Sequence, residues 1–320
     1  MTAATAPNAL SGHLRAFASS LRATAFASSA LLLGLADEVQ SGGDVGVLLT
    51  GHPEAGQPLF GLRALAGLHL LMMEGHAPEL AAAVEQASRA GITAPRLWPL
   101  ARDAILRHRA EIQAALERPV QQHDPQRAAV LQEGLCMLGA PRVRLFELGA
   151  CAGLGLVPDR YRWSGVAGEW GPVDSPVRLA ATPRSRPVDV EIVERAGCDL
   201  APRDPGDPTD ARLLRSFVPP EHGAALRRLD AALRLAAEAG VRVDRASAGD
   251  WVRERLSVRT DADVCTVVWH SLLWHYLDCA EQERVEASIE EYATRGSVAW
   301  IAYEPAAWGR PVRLQVRSYS

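Results

Sequence analysis

The feature that most constrains this fold is a short apolar run that leads directly into a glycine-rich segment. Residues Val143–Leu148 form the run, and Gly149–Gly155 follows it with three glycines. A strand that enters a glycine-rich turn is the simplest explanation of this order. Later apolar runs predict further buried strands at Val241–Val243, Val264–Trp269 and Val298–Tyr303. Helical patterns separate these runs, which indicates an α/β fold with a Rossmann-like, mostly parallel sheet.

The first part of the chain has a different, helical pattern. Apolar residues recur there at three- and four-residue spacing, in segments near 11–39, 60–75, 78–90, 96–117 and 125–138. We therefore predict a helical domain or cap over residues 1–140 and an α/β domain over residues 141–320. Within the second domain, Tyr161–Pro208 is rich in Gly, Pro and Arg and is expected to be a long irregular excursion.

Charge and composition exclude several classes of function. The formal net charge is −4 at pH 7 and the charged residues are interspersed, so the chain offers no long-range attraction for nucleic acid or an anionic membrane. All 34 basic residues are arginine. Schiff-base chemistry on a lysine is therefore excluded.

The cysteines and the apolar segments indicate the cellular compartment. The five cysteines include no C-x-x-C pair and no cluster with histidines, which argues against a disulfide framework and a zinc site. We predict no metal. No apolar stretch is long enough for a membrane span, and the N-terminus lacks the pattern of a secretion signal. These observations favour a reducing cytoplasm.

The predicted turn after the first strand is the first candidate site. Ligands of open parallel sheets bind beyond the carboxyl ends of the strands, where the first strand turns into a helix. Gly149 and Gly153 would let a ligand approach the backbone, and the carboxylate of Glu147 would bind hydroxyls or an amino group. Cys151 interrupts the G-x-G-x-x-G pattern and makes a dinucleotide site doubtful. The alternative is that the glycines serve only close packing of strand against helix.

Two acidic residues follow later elements of the predicted sheet. Asp199 follows a short run and is expected to meet a ribose-like diol, and Asp250, in Ala248-Gly249-Asp250-Trp251, is expected to be a ligand contact. For each residue, capping of a helix is an equally good explanation.

Trp269 and His270 end the clearest buried strand. His270 is the best candidate for a general base, because strand ends face the cleft and an imidazole titrates near neutrality. A hydrogen-bonded structural histidine is the alternative. We expect the side chains of His270, Asp250 and Glu147 to point into one common cleft, since each lies at or just beyond a strand end.

A polar cluster precedes the last helix of the first half. It consists of Gln121, Gln122, His123, Asp124 and Arg127. Capping of a helix that begins at Pro125 explains Asp124 equally well, whereas a role in the cleft would make His123 and Asp124 catalytic. Arg127 and Arg160 are candidates for binding a sulfate or phosphate group through paired donors.

Several motifs resemble those of a known family. They are Phe146–Leu156 followed by Asp159-Arg160-Tyr161, Gly197–Pro202, Val268–Ser271 with Tyr276, and Ala299–Pro305. Together they resemble an actinobacterial family of domains of unknown function with a class I methyltransferase-like fold, and the resemblance covers nearly the whole chain. It implies that Tyr161 belongs to the ligand-binding set.

The chain is similar, more narrowly, to the methyltransferase-like component of aziridine-forming enzymes in azinomycin-type antibiotic pathways. That resemblance implies a ring closure without cofactor, loss of sulfate from a carrier-protein-bound substrate, and a small second subunit. Two departures from the family favour it. Gln121–Asp124 replaces a Gln-Thr-Asn-Glu-like stretch, and the chain ends at Ser320, where relatives continue into strands that a partner would replace here.

Three functional hypotheses remain open at this point. The first is intramolecular N-alkylation with loss of a sulfate-like group and no cofactor. The second is methyl transfer from S-adenosylmethionine, with Glu147, Asp199 and Asp250 on the cofactor and His270 as the base. The third is a non-catalytic binding subunit.

Overall fold

The computed structural model describes residues 6–90, 97–258, 261–307 and 310–319. Every helix in this part of the chain is too short or too polar to span a lipid bilayer. The α-helices are α1 Ala6–Leu21, α2 Phe26–Ser41, α3 Asp44–Thr50, α4 Phe60–Met73, α5 Pro78–Ala90, α6 Leu97–Arg107, α7 Arg109–Leu116, α8 Ala128–Leu138, α9 Pro208–Ser216, α10 Gly223–Glu238, α11 Ala248–Ser257 and α12 Cys279–Ala293.

The strands all follow the helical first part of the chain. They are β1 Arg142–Leu148, β2 Arg162–Gly165, β3 Gly168–Trp170, β4 Arg178–Ala180, β5 Glu191–Asp199, β6 Val243–Arg245, β7 Cys265–Ser271, β8 Val298–Pro305 and β9 Val312–Tyr319. The predicted α/β class, with a helical first half followed by a mostly parallel sheet, is confirmed.

The chain divides into two compact units. The first comprises Met1–Gln122 and Arg212–Arg227, and the second comprises His123–Ala211 and Arg228–Ser320. The sequence pattern predicts a single boundary at residue 140, whereas the helical unit also includes the later segment Arg212–Arg227.

The Arg212–Arg227 segment belongs to the helical unit because its polar side chains and carbonyls are bonded there. Nδ1 of the buried His69 in α4 lies 3.1 Å from the carbonyl oxygen of Ser216. Glu221 accepts hydrogen bonds from the backbone N–H and the hydroxyl of Ser28 in α2, at 2.8 and 2.7 Å. These bonds satisfy groups that would be costly to bury alone.

The main sheet of the second unit has the order β6-β5-β1-β7-β8-β9. Every neighbouring pair is parallel except β8 and β9, which are antiparallel. In order of appearance, the five parallel strands follow the 3-2-1-4-5 sequence of doubly wound sheets. The excursion predicted between Tyr161 and Pro208 contains a small separate sheet of order β3-β2-β4 and then β5.

Helices cover both faces of the main sheet, as parallel sheets require. Phe146, Val268 and Trp300 share a buried apolar cluster with residues of α11 and α12. On the other face, Gly134 of α8 lies directly against Ile301 of β8. Helix α8 therefore belongs to the sheet unit, although its apolar periodicity resembles that of the helices before it.

The contact of α8 with the sheet can be tested at Gly134. A Cβ atom at this position would lie 2.8 Å from Ile301 Cγ2. We expect Gly134→Leu to lower the free energy of unfolding by about 1–3 kcal/mol, because overpacking forces neighbouring groups to move. Gly12→Leu is the matched control, since a Cβ built at this helical glycine has no described atom within 4 Å apart from its chain neighbours and its own helix backbone. The free energy of unfolding is measured by urea denaturation. Equal losses for Gly134→Leu and Gly12→Leu would contradict the packing of α8 against Ile301.

Candidate functional site

The candidate site lies at the carboxyl end of β1, where the chain order of the sheet reverses. Strand β1 has β5 on one side and β7 on the other, so the connections from this point leave in opposite directions. The turn that follows contains three residues in the left-handed region, with φ values of 69° at Gly149, 50° at Cys151 and 70° at Gly153. Cys151 therefore adopts a backbone conformation that favours glycine.

The backbone N–H groups of this turn are largely engaged by the protein itself. Ala150 N–H donates to Cys198 O at 2.9 Å, and Cys151 N–H donates to Asp199 Oδ2 at 3.0 Å. Leu154 N–H donates to Nε2 of His123 at 3.2 Å. A turn whose donors are used in this way is a poor cradle for a pyrophosphate group.

The glycines of the turn are also required by packing. A Cβ at Gly149 would lie 2.9 Å from the Leu273 side chain, and one at Gly153 would lie 2.4 Å from Val241. Close packing, the alternative explanation for these glycines, therefore accounts for both positions.

Glu147 is a buried carboxyl group beside the turn. Its Oε1 accepts a hydrogen bond from Trp269 Nε1 at 3.0 Å, and its Oε2 is buried without a hydrogen-bond partner in the described structure. Burial raises the pKa of Glu147 to about 8, against the opposing effects of the Trp269 bond and the Arg127 charge. A Cβ at Gly155 would lie 2.4 Å from Glu147 Oε1, so this glycine leaves the space that the carboxyl group occupies.

Two members of the predicted polar cluster lie near Glu147. His123 accepts the Leu154 hydrogen bond through Nε2, and burial together with the Arg127 charge lowers its pKa to about 3. His123 is therefore neutral at physiological pH. Arg127 Nη1 donates to Ser271 Oγ at 3.4 Å. Burial lowers the pKa of Arg127, but nearby carboxylates raise it, and an arginine remains charged under these conditions.

The other members of the cluster have local roles or lie in the helical unit. Asp124 accepts a hydrogen bond from Gln126 N–H at 2.9 Å and caps the helical turn that begins at Pro125. Capping is thus sufficient to explain Asp124. Gln121 is buried and Gln122 is exposed, at the end of the first segment of the helical unit.

The remaining predicted binding residues divide between the turn and the surface. Asp199 Oδ2 accepts a hydrogen bond from Cys151 N–H at 3.0 Å, and Asp199 Oδ1 accepts one from Ala201 N–H at 2.8 Å. The carboxylate therefore holds the turn in place. Tyr161 is buried, and its hydroxyl donates to Leu154 O at 2.6 Å. Burial raises the pKa of this hydroxyl, which therefore stays protonated. Arg160 is exposed.

The expectation that His270, Asp250 and Glu147 share one cleft is wrong. Glu147 pairs in register with Trp269, and Leu148 pairs with His270. Since successive side chains of a strand point to opposite faces, Glu147 and His270 lie on opposite faces of the sheet. Asp250 is exposed in the first turn of α11 and pairs with Arg253 at 2.9 Å.

His270 has a partner that sequence reasoning missed. Its Nδ1 lies 2.8 Å from Oε1 of Glu304 near the end of β8, and both side chains are buried. Glu304 is the acidic residue in Tyr303-Glu304-Pro305, at the carboxyl end of the last predicted parallel strand. The rule that identified Glu147, an acid at a strand end, would have found it as well.

The raised pKa of Glu147 predicts a pH-dependent stability. Between its ordinary pKa of 4.5 and about 8, the folded protein keeps a proton that the unfolded chain has released. Stability therefore falls as the pH rises through this window, with a slope of at most about 1.4 kcal/mol per pH unit. Glu147→Gln removes this loss, so urea denaturation from pH 5 to pH 8 should show a growing advantage for the variant. Asp250→Asn, at an exposed carboxylate, should retain the wild-type slope. Parallel curves for Glu147→Gln and the wild type would contradict the assignment.

Comparison with other proteins identifies a family. The model of the family described as "Uncharacterized protein conserved in bacteria (DUF2332)" matches residues 12–320. No curated protein and no solved structure matches the chain at a significant level. The prediction of a domain-of-unknown-function family is thus confirmed: the chain belongs to the DUF2332 family of uncharacterized proteins conserved in bacteria.

Proposed function

We propose that this protein is a specialised-metabolite enzyme that catalyses intramolecular N-alkylation without S-adenosylmethionine. An amine of the bound substrate attacks a neighbouring carbon and displaces a sulfate-like leaving group, which closes an aziridine-type ring. The observation that carries the proposal is the buried carboxyl group of Glu147 at the carboxyl end of β1. Its Oε2 has no hydrogen-bond partner in the part of the chain that the structure describes, and its pKa is raised to about 8.

Glu147 is the base in this proposal. The nitrogen forms a bond to carbon, the carbon–oxygen bond to the leaving group breaks, and its electron pair departs with the sulfate. The nitrogen must also lose one proton, which passes to Glu147 Oε2. A carboxylate with a pKa near 8 accepts a proton from an ammonium product far better than an exposed glutamate does, because catalytic bases work best near the operating pH.

Arg127 supplies positive charge at the same edge of the sheet. Its guanidinium interacts electrostatically with Glu147 and donates to Ser271, the last residue of β7. A fixed cation in a buried site stabilises a departing anion, and its planar donors match the oxygens of sulfate. His123 remains neutral beside it and adds no competing charge.

The fold supports a methyltransferase-like ancestry, whereas the turn favours chemistry without its cofactor. Five parallel strands in 3-2-1-4-5 order with an antiparallel edge strand agree with the class I methyltransferase-like resemblance. However, both oxygens of Asp199, the residue expected to meet a ribose, already accept backbone hydrogen bonds, and the N–H groups of Ala150 and Cys151 are also engaged. With these groups engaged, a substrate that occupies the edge near Glu147 and Arg127 is favoured.

The other parts of the proposal rest on the resemblance to aziridine-forming enzymes. The substrate is bound to a carrier protein, and a small second subunit assists the reaction. Five free cysteines are in keeping with activity in the reducing cytoplasm.

Ring closure can be measured with a synthetic thioester that carries an amine and a sulfate ester on neighbouring carbons. We expect the protein, co-expressed with its small genomic neighbours, to release sulfate with the ring-closed product. Glu147→Gln should reduce the rate by a factor of about 100 or more, because it removes the general base. The wild-type rate should rise with pH through about 8. Asp250→Asn is the folded control with an unchanged rate, and equal rates for Glu147→Gln and the wild type would refute the role of Glu147.

Calorimetric titration with S-adenosylmethionine and its demethylated product tests the principal alternative. We expect no binding at micromolar concentrations, because the turn and Asp199 are occupied by internal hydrogen bonds. Micromolar binding that Asp199→Asn abolishes, together with methylation of a substrate, would instead establish a methyltransferase.

A further inference from the structure

A second polar group lies on the face of the sheet opposite Glu147. His270 and Glu304 are on this face, because His270 pairs in register with Ala302 of β8 and Glu304 is two residues further along the same strand. The His270 side chain is 1% exposed and that of Glu304 is 8% exposed. Burial of an acidic and a basic side chain together requires that they be paired, and the 2.8 Å contact between Nδ1 and Oε1 provides this.

Glu304 determines which imidazole nitrogen is free. Its Oε1 also accepts hydrogen bonds from the backbone N–H groups of Leu273 and Trp274, at 2.8 and 3.2 Å. A carboxylate oxygen with these donors acts only as an acceptor, so Nδ1 of His270 carries a hydrogen, and in the neutral form of the imidazole Nε2 presents a lone pair. Glu304 is therefore a positioning residue for both His270 and the backbone that follows β7.

Three buried polar atoms in this group have no hydrogen-bond partner in the described structure. They are His270 Nε2, Glu304 Oε2 and Trp300 Nε1. Each unsatisfied atom costs about 1–3 kcal/mol, so the group is expensive if nothing binds there. Two of the atoms accept hydrogen bonds and one donates.

Two indole rings enclose the imidazole. Trp274 stacks on His270 with ring centroids 5.1 Å apart and an interplanar angle of 21°, and Trp300 lies 5.8 Å from His270. The two indoles are 5.2 Å apart. The guanidinium carbon of Arg317 lies 5.0 Å from the centre of the Trp300 ring, so this indole already receives one cation on its surface.

We infer that His270, Glu304, Trp274 and Trp300 form a binding site for an organic ammonium group. An ammonium group supplies several N–H donors for His270 Nε2 and Glu304 Oε2, a positive charge for the carboxylate, and a cation for the indole faces. An oxygen atom next to the nitrogen would accept from Trp300 Nε1. An alcohol offers one donor and no charge, and an anion is repelled by Glu304.

Entry to this site requires the segment after β7 to move. Trp274 is half-buried over His270, and its neighbours Leu272 and Tyr276 are exposed. Leu272 has a φ of 53°, an unfavourable value for a leucine. Strained residues of this kind are concentrated at ligand clamps and switch regions.

The ammonium site is separate from Glu147, since the two lie on opposite faces of the sheet, and the inference does not depend on the proposed ring closure. The test uses the full chain labelled with 5-fluorotryptophan, whose 19F resonances from Trp274 and Trp300 are identified by single substitutions to Phe. The probe is propylammonium chloride. The comparison compounds are 1-propanol, which lacks the charge, and sodium chloride at equal ionic strength.

We expect a saturable shift of the Trp274 and Trp300 resonances with propylammonium and none with the comparison compounds. Glu304→Gln keeps an acceptor for the backbone N–H groups but removes the charge, and should weaken binding at least about tenfold. Glu147→Gln should bind as the wild type does. Trp274→Leu, at a half-buried position, is a second variant that should also bind propylammonium more weakly. Its binding is followed by the 19F resonance of Trp300. Equal binding by Glu304→Gln and the wild type would overturn the inference. A response to propylammonium no larger than the response to sodium chloride would also overturn it, and the site would then hold only a water molecule.

Discussion

Strand β1 is hydrogen-bonded to a parallel strand on each side, and the chemistry of the second unit depends on this arrangement. The ladder to β5 and β7 accompanies the burial of every residue from Val143 to Leu148. A carboxyl group near the end of such a strand is shielded from water, and this desolvation disfavours its ionised form. The raised pKa of Glu147 thus follows from its place in the sheet, and the Trp269 and Arg127 side chains only moderate it.

The two faces of the sheet end in different polar groups. On one face, Glu147 lies with Trp269, near Arg127 and His123. On the other, Glu304 holds His270 beneath Trp274. Both groups retain buried polar atoms that have no hydrogen-bond partner among the described residues, and a core selected only for stability would replace them by apolar side chains. Such a cost is usually retained where it serves binding or catalysis.

The turn after β1 is held by hydrogen bonds from within the protein. Cys151 takes the left-handed conformation of a glycine, and its N–H is bonded to Asp199. The Asp199 carboxylate therefore stabilises the turn. The ring closure proposed above needs orientation of the substrate, a base and a cation, because the substrate's own amine is the nucleophile.

The sequence alone was sufficient for the features that depend on local pattern. The apolar run of β1, the glycine turn, the alternation of strands and helices, and the position of Glu147 at a strand end all follow from spacing along the chain. Tertiary structure decided the rest, because it depends on residues far apart in the chain. The parallel register between β1 and β7 put His270 and Glu147 on opposite faces, and the pairing of β7 with β8 brought Glu304 to His270. Packing against Ile301 assigned α8 to the sheet, since a helix with an apolar face has no means of specifying from its own periodicity which partner will bury it.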